Sequence, residues 1–386
     1  MDEYHRERLK GVVTMHRDTE IVQAGYRSVA DAGTLLPGPQ FSATYVTPGD
    51  PADHAMTYGR FQNPTWTAFE EALAVLDGGQ AVVFASGMAA VAAVFGVTLK
   101  AGDVVVLPSD SYYTTRALAS NWLHPIGVQV RLAPTRDNGQ AAALDHARLL
   151  WVETPTNPQL DVCDIQELAR IAKARGVLVA VDNTTATAYL QRPLTLGADY
   201  VVASDTKALT GHSDLVLGHV ATIDPQDATA LRTWRMHHGA VAGPMEVWLA
   251  HRSLATLPVR LGRQCQTAQR LADFLASQPD VQTVYYPGLH GHPGHEIARR
   301  QMQAFGSVVS FDLATRGRGE AFLRNLKLVR EATSFGGVHS MAERRARWGG
   351  DSIGEGFIRF SVGCESAEDL LEDVGGALRQ SVALPR

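Results

Sequence analysis

Short apolar runs alternate with helical stretches in the middle of this chain, and this alternation restricts the fold more than any other feature. The runs carry no charged residue and cover residues 81–85, 104–107, 149–152, 177–181 and 200–203. Strands without polar positions are buried on both faces, and strands separated by helices form parallel sheets. We therefore predict an α/β fold whose larger domain contains a mostly parallel sheet.

Helix signals lie between these strands. Pro64 opens an amphipathic stretch that reaches a glycine stop at Gly78. Asp164 and Glu167 have the spacing of a capping box, and the helix after them is expected to end before Gly176.

One uncharged stretch, residues 81–99, is long enough to span a bilayer. Ser86-Gly87 divides it into a β-rich run and an alanine-rich helix. Neither half spans a membrane alone, so we predict a buried strand, a buried helix and no membrane association.

Length and composition favour a globular protein of two domains. The chain has 386 residues, 45% of them hydrophobic, which exceeds what one core usually accommodates. We expect residues 1–55 to form an irregular N-terminal arm that contacts a neighbouring subunit, because they are rich in proline and glycine. Residues 56–257 are expected to form the α/β domain and residues 258–386 an α+β domain.

Charge and cysteine content indicate location and partners. The net charge of −5 and the scattered basic residues do not favour nucleic acid or anionic lipid as a partner. Cys163, Cys265 and Cys364 are sparse, odd in number and far apart, which suits a reducing cytoplasm and no metal site. The charged residues 1–8 do not have the form of a signal peptide.

Specific polar residues follow four of the predicted strands. These clusters are Ser86-Gly87-Met88, Glu153-Thr154-Pro155-Thr156-Asn157, Asp182-Asn183-Thr184 and Ser204-Asp205-Thr206-Lys207. Because the carboxyl ends of parallel strands meet at one edge of a sheet, we expect the four clusters to share one ligand site.

The chemistry of these clusters fits pyridoxal phosphate. Ser86-Gly87-Met88 opens a helix whose free amides would bind a phosphate, and Ser204 and Thr206 could add hydroxyl donors. Asp182 ends a buried strand and needs a positive partner, such as a protonated pyridine nitrogen. Lys207 could form an imine with the aldehyde of the cofactor.

The sequence resembles the cystathionine γ-synthase/γ-lyase family of cysteine and methionine metabolism from about residue 20 to 375. The matching stretches, in order, are 58–65 (YGRFQNPT), 86–90 (SGMAA), 151–158 (WVETPTNP), 181–184 (VDNT), 204–207 (SDTK), 211–214 (GHSD), 334–337 (SFGG) and 358–363 (IRFSVG). The resemblance implies a fold of type I, like that of aspartate aminotransferase.

The same resemblance assigns roles around the cofactor. Lys207 would bind it covalently and move protons, Asp182 would pair with the pyridine nitrogen, and Tyr112 would stack on the ring. The phosphate ligands that it implies are Gly87, Met88, Ser204 and Thr206.

Further implied roles concern the neighbouring subunit and the substrate. Tyr58 and Arg60 would reach the phosphate of the neighbouring subunit, so that sites are shared within a dimer of a tetramer. Asn157, Ser334 and Arg359 would bind the substrate carboxylate.

Three departures from the family pattern concern the distal part of the substrate pocket. His339 stands where many members have glutamate, residues 343–350 replace a His-Pro-containing stretch, and the segment around Tyr112 is one residue shorter. Because His339 cannot supply a negative charge, either another carboxylate, with Glu343 nearest in sequence, contacts the distal ammonium, or discrimination for that group is weak.

The resemblance implies γ-elimination from cystathionine, with γ-synthase or another sulfur amino acid lyase as alternatives. A catalytically inactive relative with a binding role, and a nicotinamide-dependent oxidoreductase, are alternatives of other classes. The second lacks its glycine fingerprint. His290, His292 and His295 are interpreted as loop residues and not as metal ligands, and Arg344-Arg345-Ala346-Arg347 as a solvated or intersubunit face.

Overall fold

The computed structural model describes residues 15–25 and 33–382, which contain two β-sheets with helices packed around them. The strands are β1 (Gln80–Phe84), β2 (Val104–Pro108), β3 (Gln129–Ala133), β4 (Leu149–Glu153), β5 (Leu178–Asp182), β6 (Tyr200–Ala203), β7 (Gly218–Thr222), β8 (Thr283–Tyr285), β9 (Val308–Asp312), β10 (Arg330–Glu331), β11 (Met341–Arg344) and β12 (Phe357–Ser361).

The α-helices cover the faces of these sheets and connect most of the strands. They are α1 (Arg17–Ala24), α2 (Pro64–Asp77), α3 (Gly87–Thr98), α4 (Tyr113–Leu118), α5 (Ile165–Lys173), α6 (Thr187–Leu190), α7 (Pro225–His238), α8 (Pro244–Leu254), α9 (Leu257–Ala276), α10 (His295–Gln301), α11 (Arg316–Asn325) and α12 (Ala367–Val382).

The larger sheet has seven strands in the order β1-β7-β6-β5-β4-β2-β3. Strands β3, β2, β4, β5 and β6 are parallel, whereas β7 runs antiparallel to both β6 and β1. The carboxyl ends of β1, β4, β5 and β6 therefore lie at the same edge. The predicted α/β fold with a mostly parallel sheet is confirmed.

Both faces of the larger sheet are buried, as the uncharged runs predict. Trp151 and Phe84 face α3, while Leu150 and Val152 pack toward α5 on the opposite side. Successive residues of a strand point to opposite faces, so each strand contributes to two cores.

Helix boundaries follow the local signals closely. The side chain of Asn63 accepts a hydrogen bond from the amide of Thr65 at the start of α2, and Gly78 ends that helix with a φ of 82°. Asp164 accepts from the amide of Glu167 at the start of α5. These caps satisfy amides that have no partner within their helix.

The smaller sheet has five strands in the order β10-β11-β12-β9-β8, and it is antiparallel apart from β10 and β11. Phe311, Phe322 and Phe360 are completely buried between this sheet and its helices. Helix α9 supplies side chains both to this core and to the core beside α2, so it connects the two sheets.

The prediction that residues 1–55 are irregular is wrong for α1. Ile21 and Ala24 are buried in the core beside α2, which stabilises this eight-residue helix. Residues 1–14 and 26–32 lie outside the described residues.

Two strands of the larger sheet, β3 and β7, have no counterpart among the predicted runs, because Arg131 and His219 interrupt their apolar patterns.

Residues 81–99 form β1 and α3, as their central Ser86-Gly87 predicts. None of the helices in the described part of the chain is both long and apolar enough to cross a membrane.

Candidate active site

The predicted convergence of the strand ends is confirmed, because one cavity lies at the edge where β1, β4, β5 and β6 end. Its polar lining residues are Ser86, Tyr112, Thr115, Glu153, Asn157, Asp182, Thr184, Thr185, Ser204, Thr206 and Lys207, and Gly87, Met88, Val91, Val202, Val216 and Phe335 complete it.

One end of the cavity has the features of a phosphate site. The Ser86 hydroxyl accepts from the Ala89 amide and caps α3, so Gly87 and Met88 supply the first amides of that helix. A Cβ on Gly87 would lie 2.7 Å from Cβ of Ser204, so a side chain there would clash with the serine. Free amides, a helix N-terminus and the nearby hydroxyl of Ser204 make a cradle that fits a dianionic phosphate.

Thr206 contributes to this end mainly by holding the backbone. Its hydroxyl donates to the carbonyl of Leu217 over 3.1 Å and accepts from the amide of Leu217 over 3.0 Å. Ser204 donates its amide to the hydroxyl of Thr184. The turn after β6 is thus hydrogen-bonded to Thr184 through Ser204 and to Leu217 through Thr206.

Two carboxyl groups of the cavity lie side by side where β4 and β5 end. Glu153 and Asp182 are in register on neighbouring strands, and both are buried. Burial raises the pKa of Asp182; burial, followed by the charge of Asp182, raises the pKa of Glu153 well above its usual range. The described residues place no cationic side chain against Asp182. A cationic heterocyclic nitrogen in the cavity fits this unpaired carboxyl group.

Glu153 belongs to one of the predicted clusters without a role of its own, and in the structure it holds two backbone segments of the site in place. Its carboxylate accepts the amide of Tyr112 and the amide of Asn157, each over 2.8 Å. The side chain of Tyr112 lines the cavity at the N-terminus of α4 and remains partly exposed. The signal available in the sequence was an acidic residue at the end of an otherwise apolar strand.

Lys207 also projects into the cavity. Its Nζ donates to the hydroxyl of Ser334 over 2.9 Å and lies 5.5 Å from the centre of the Phe335 ring. Burial, followed by the positive charge of Arg359, lowers the pKa of Lys207 to about 8. About a tenth of this amine is therefore neutral and nucleophilic at pH 7, far more than for an ordinary lysine.

Arg359, Asn157 and Ser334 come together across the two sheets. Nη1 of Arg359 donates to Oδ1 of Asn157 over 2.7 Å, and Nη2 donates to the carbonyl of Ser334 over 3.1 Å. Arg359 is 3% exposed, and Asn157 lines the cavity. The three residues predicted to bind the substrate carboxylate are thus neighbours, and Arg359 is hydrogen-bonded to the other two.

Glu343 is already engaged by other side chains of this chain. It lies opposite Arg359 in the β11–β12 register, is 1% exposed, and accepts from Arg359, Arg345, Arg347 and the indole of Trp348. Burial acts to raise the pKa of Glu343, but Arg359 and these other donors outweigh it, and the pKa lies below its usual value.

The interpretation of residues 344–347 as a solvated face is wrong for Arg344 and Arg345, which are both buried. Arg345 donates to both Glu343 and Asp351. Asp351 also accepts from Arg116, whose Nε donates to the carbonyl of Ser111, the residue before Tyr112. Glu355 pairs with Arg344, and Glu343 and Asp351 pair with Arg345, so opposite charges permit this burial.

His339, Tyr58 and Arg60 lie apart from the cavity in this protomer. His339 is exposed between Val338 and Ser340. Arg60 donates to the carbonyl of Met236 over 3.0 Å, and its guanidinium lies 5.4 Å from the centre of the Tyr58 ring. The pair lines a separate surface hollow near residues 41–43.

Together, an α/β sheet with helices on both faces, a phosphate cradle, a half-buried lysine and a strand-end carboxyl group without a cationic partner define a pyridoxal-phosphate enzyme of fold type I. Comparison with known proteins specifies the family. Residues 18–379 match the Cys/Met metabolism PLP-dependent enzymes, and the chain belongs to this family. Its cofactor is pyridoxal 5′-phosphate.

Individual relatives resemble the chain over nearly its whole length. It is 50% identical to a putative cystathionine gamma-lyase of Streptomyces coelicolor, over 94% of this chain and 93% of the relative. It is 40% identical to cystathionine gamma-lyase of Bacillus subtilis, over 94% and 99%. The solved structure of cystathionine gamma synthase from Xanthomonas oryzae pv. oryzae with cystathionine superposes with a TM-score of 0.92 at 34% identity, covering 96% of this chain and 100% of that one.

Proposed function

We propose that this enzyme cleaves L-cystathionine by γ-elimination, which releases cysteine, and that water then converts the remaining four-carbon fragment to 2-oxobutanoate and ammonia. The observation that carries the proposal is the placement of Lys207, Asp182 and Asn157 around one cavity, with Arg359 hydrogen-bonded to Asn157. The similarity to two cystathionine γ-lyases supports this choice of reaction.

Each end of the cavity has a proposed part in holding the cofactor. Gly87, Met88 and Ser204 would bind its phosphate, with Thr206 supporting the turn. Asp182 would keep the pyridine nitrogen protonated, Tyr112 would stack on the ring, and Lys207 would hold the aldehyde carbon covalently. Pyridoxal phosphate supplies an electron sink for the pair of electrons left when Cα loses its proton.

The chain's own groups bind the substrate and move its protons. Arg359 and Asn157, which are hydrogen-bonded to each other, would hold the α-carboxylate. Once the substrate amine has replaced Lys207 on the aldehyde carbon of the cofactor, the released Nζ would accept the Cα proton and then take part in removing a proton from Cβ. The hydroxyl of Tyr112 lies on the cavity wall, where it can donate a proton to the departing sulfur.

The distal part of the substrate is expected to be held loosely. Glu343, the nearest candidate for a contact to the distal ammonium, is committed to three arginines and an indole. His339 is exposed and offers no negative charge. We therefore propose weak discrimination for the distal amino group.

A substrate panel tests the proposed reaction and its selectivity. Incubated with cystathionine, the purified holoenzyme should form cysteine and 2-oxobutanoate, measured by mass. The specificity constant for cystathionine should exceed that for homocysteine by less than about tenfold, the discrimination expected without a dedicated polar contact.

Other products would contradict the proposal in distinct ways. Cystathionine formed faster from O-succinylhomoserine and cysteine would indicate a γ-synthase, and pyruvate with homocysteine would indicate β-elimination. Methionine as the best substrate would indicate another lyase. A protein that binds the cofactor but converts none of them would be an inactive relative.

We further propose a homotetramer of two dimers in the cytoplasm, with Tyr58 and Arg60 reaching the phosphate of the neighbouring subunit. Three free cysteines suit that compartment. In this protomer the Arg60 guanidinium is exposed and outside the cavity, so it is available to a second subunit.

Mixed dimers provide a test of the shared site. Lys207→Ala and Arg60→Ala, each inactive alone, should recover activity when unfolded and refolded together, because one site of each mixed dimer carries neither change. With random pairing, about a quarter of the sites should be intact. Mixing Lys207→Ala with Asp182→Asn is the matched control: both residues belong to the same subunit's site, so no activity should return. Recovery in the control, or none in the test pair, would refute the sharing.

A further inference from the structure

A buried group of three charged side chains lies behind the turn that carries Lys207. His219 Nδ1 is 2.6 Å from Oδ1 of Asp205, and its Nε2 is 3.1 Å from Oδ2 of Asp77. No member exposes more than 1% of its side chain. The proposed reaction uses none of these groups directly.

The arrangement favours a protonated histidine. A neutral imidazole has one N–H group, whereas both ring nitrogens of His219 face a carboxylate oxygen. Burial acts to lower the pKa of His219, but the charges of Asp205 and Asp77 outweigh it and raise the pKa to about 10. His219 is therefore an imidazolium that donates to both carboxylates.

Two members of the group stand on rigid elements. His219 lies in β7, where its backbone is paired with Val83 on one side and with Ala203 on the other. Asp77 is the last residue of α2. Asp205 lies instead on the turn that follows β6.

His219 is the hydrogen-bond partner that holds the Asp205 side chain. The other carboxylate oxygen, Oδ2, is buried and makes no hydrogen bond within the described residues. A buried carboxylate with one partner depends strongly on that partner for its orientation, because losing it leaves an uncompensated charge.

The orientation of Asp205 determines what its neighbours face. Ser204 and Thr206 both line the cavity, whereas Asp205 between them points into the protein interior. Residues 204–207 form a turn, in which the amide of Lys207 donates to the carbonyl of Ser204 over 3.2 Å. Fixing the buried side chain of Asp205 therefore fixes the backbone of a turn whose other residues line the cavity.

We propose that His219 is a positioning residue, which binds Asp205 and thereby holds residues 204–207 in the conformation that receives the cofactor phosphate. The inference rests on the proposed assignment of Ser204 and Thr206 to the phosphate. Asp77 fixes the opposite nitrogen of the ring and contributes to stability without contacting the turn.

Matched alanine variants separate positioning from stability. Asp205→Ala and Asp77→Ala each remove one partner of His219, and both should lower the Tm of the cofactor-free protein. Asp205→Ala should weaken pyridoxal phosphate binding roughly ten- to hundredfold, the range seen when partners behind metal ligands are removed. Asp77→Ala should change the Kd by less than about threefold. Equilibrium dialysis of the full-length folded protein measures both constants.

Controls assign each outcome. Asp205→Asn and Asp77→Asn, which keep the side-chain size, replace the alanine pair if either alanine variant does not fold, and the same order of Kd values is expected. An equal loss of affinity in the Asp77 and Asp205 variants, or none in either, overturns the positioning role. Ser204→Ala, measured in parallel, should also weaken binding; if it does not, the phosphate assignment itself fails, and the inference fails with it.

Discussion

Replacement of Lys207 by alanine is expected to remove activity while leaving the protein folded. Lys207 is the amine in the cavity, and its pKa of about 8 makes it both a nucleophile and a base near neutral pH. Loss of proton transfer alone lowers rates by about 10²–10⁴-fold, and loss of the covalent attachment lowers turnover further. The variant loses one hydrogen bond to Ser334, so its Tm should stay within a few degrees of the parent.

Mass spectrometry provides a readout of Lys207→Ala that does not depend on activity. After borohydride reduction, the parent should carry cofactor on the peptide that contains residue 207, and the variant should carry none. Lys100→Ala, at an exposed position, is the matched control and should behave as the parent. Cofactor attached elsewhere on the reduced variant would show that another lysine performs this role.

Replacement of Asp182 by asparagine is expected to retain the cofactor but lower turnover by at least about 10²–10³-fold, the effect typical of losing one preorganised electrostatic contact. A neutral amide cannot keep a pyridine nitrogen protonated, so the ring withdraws electrons less strongly. Cofactor content and turnover, measured on the same preparation, separate binding from catalysis.

The same change should stabilise the cofactor-free protein. Burial raises the pKa of Asp182 in the folded state, so ionisation of this group opposes folding above its unfolded pKa. Asparagine removes that penalty and also the repulsion of Glu153. The Tm of the cofactor-free variant should therefore exceed that of the parent at pH 7 and approach it in acid. Asp145→Asn, at an exposed carboxylate, should change neither Tm nor rate. Near-normal turnover in Asp182→Asn would show that Asp182 serves the turn alone.

The prediction of the site from the sequence succeeded where local signals and chain direction were sufficient. Ser86, Asp182 and Lys207 each follow an apolar run, and parallel strands bring their carboxyl ends to one edge. Glu153 belongs to one of the predicted strand-end clusters, but its role was not predicted, because it accepts backbone amides from Tyr112 and Asn157, contacts that no sequence spacing reveals.

Charged residues marked the limit of sequence-based prediction. Arg344 and Arg345 have the composition of a solvated surface, but they are buried because Glu355, Glu343 and Asp351 compensate their charges. The sequence similarly made Glu343 a candidate substrate contact, whereas in the structure it lies at the centre of an ion-pair network.

The sequence by itself determined five strands of the larger sheet, the helix caps and the polar residues at the strand ends, because these depend on periodicity and on hydrogen bonds between near neighbours. The tertiary structure alone decided which distant charges share a buried environment. His219 meets Asp77 across 142 residues, and Arg359 meets Asn157 across 202. The cost of burying a charge is offset only by a partner at contact distance, and that distance is a property of the packed fold.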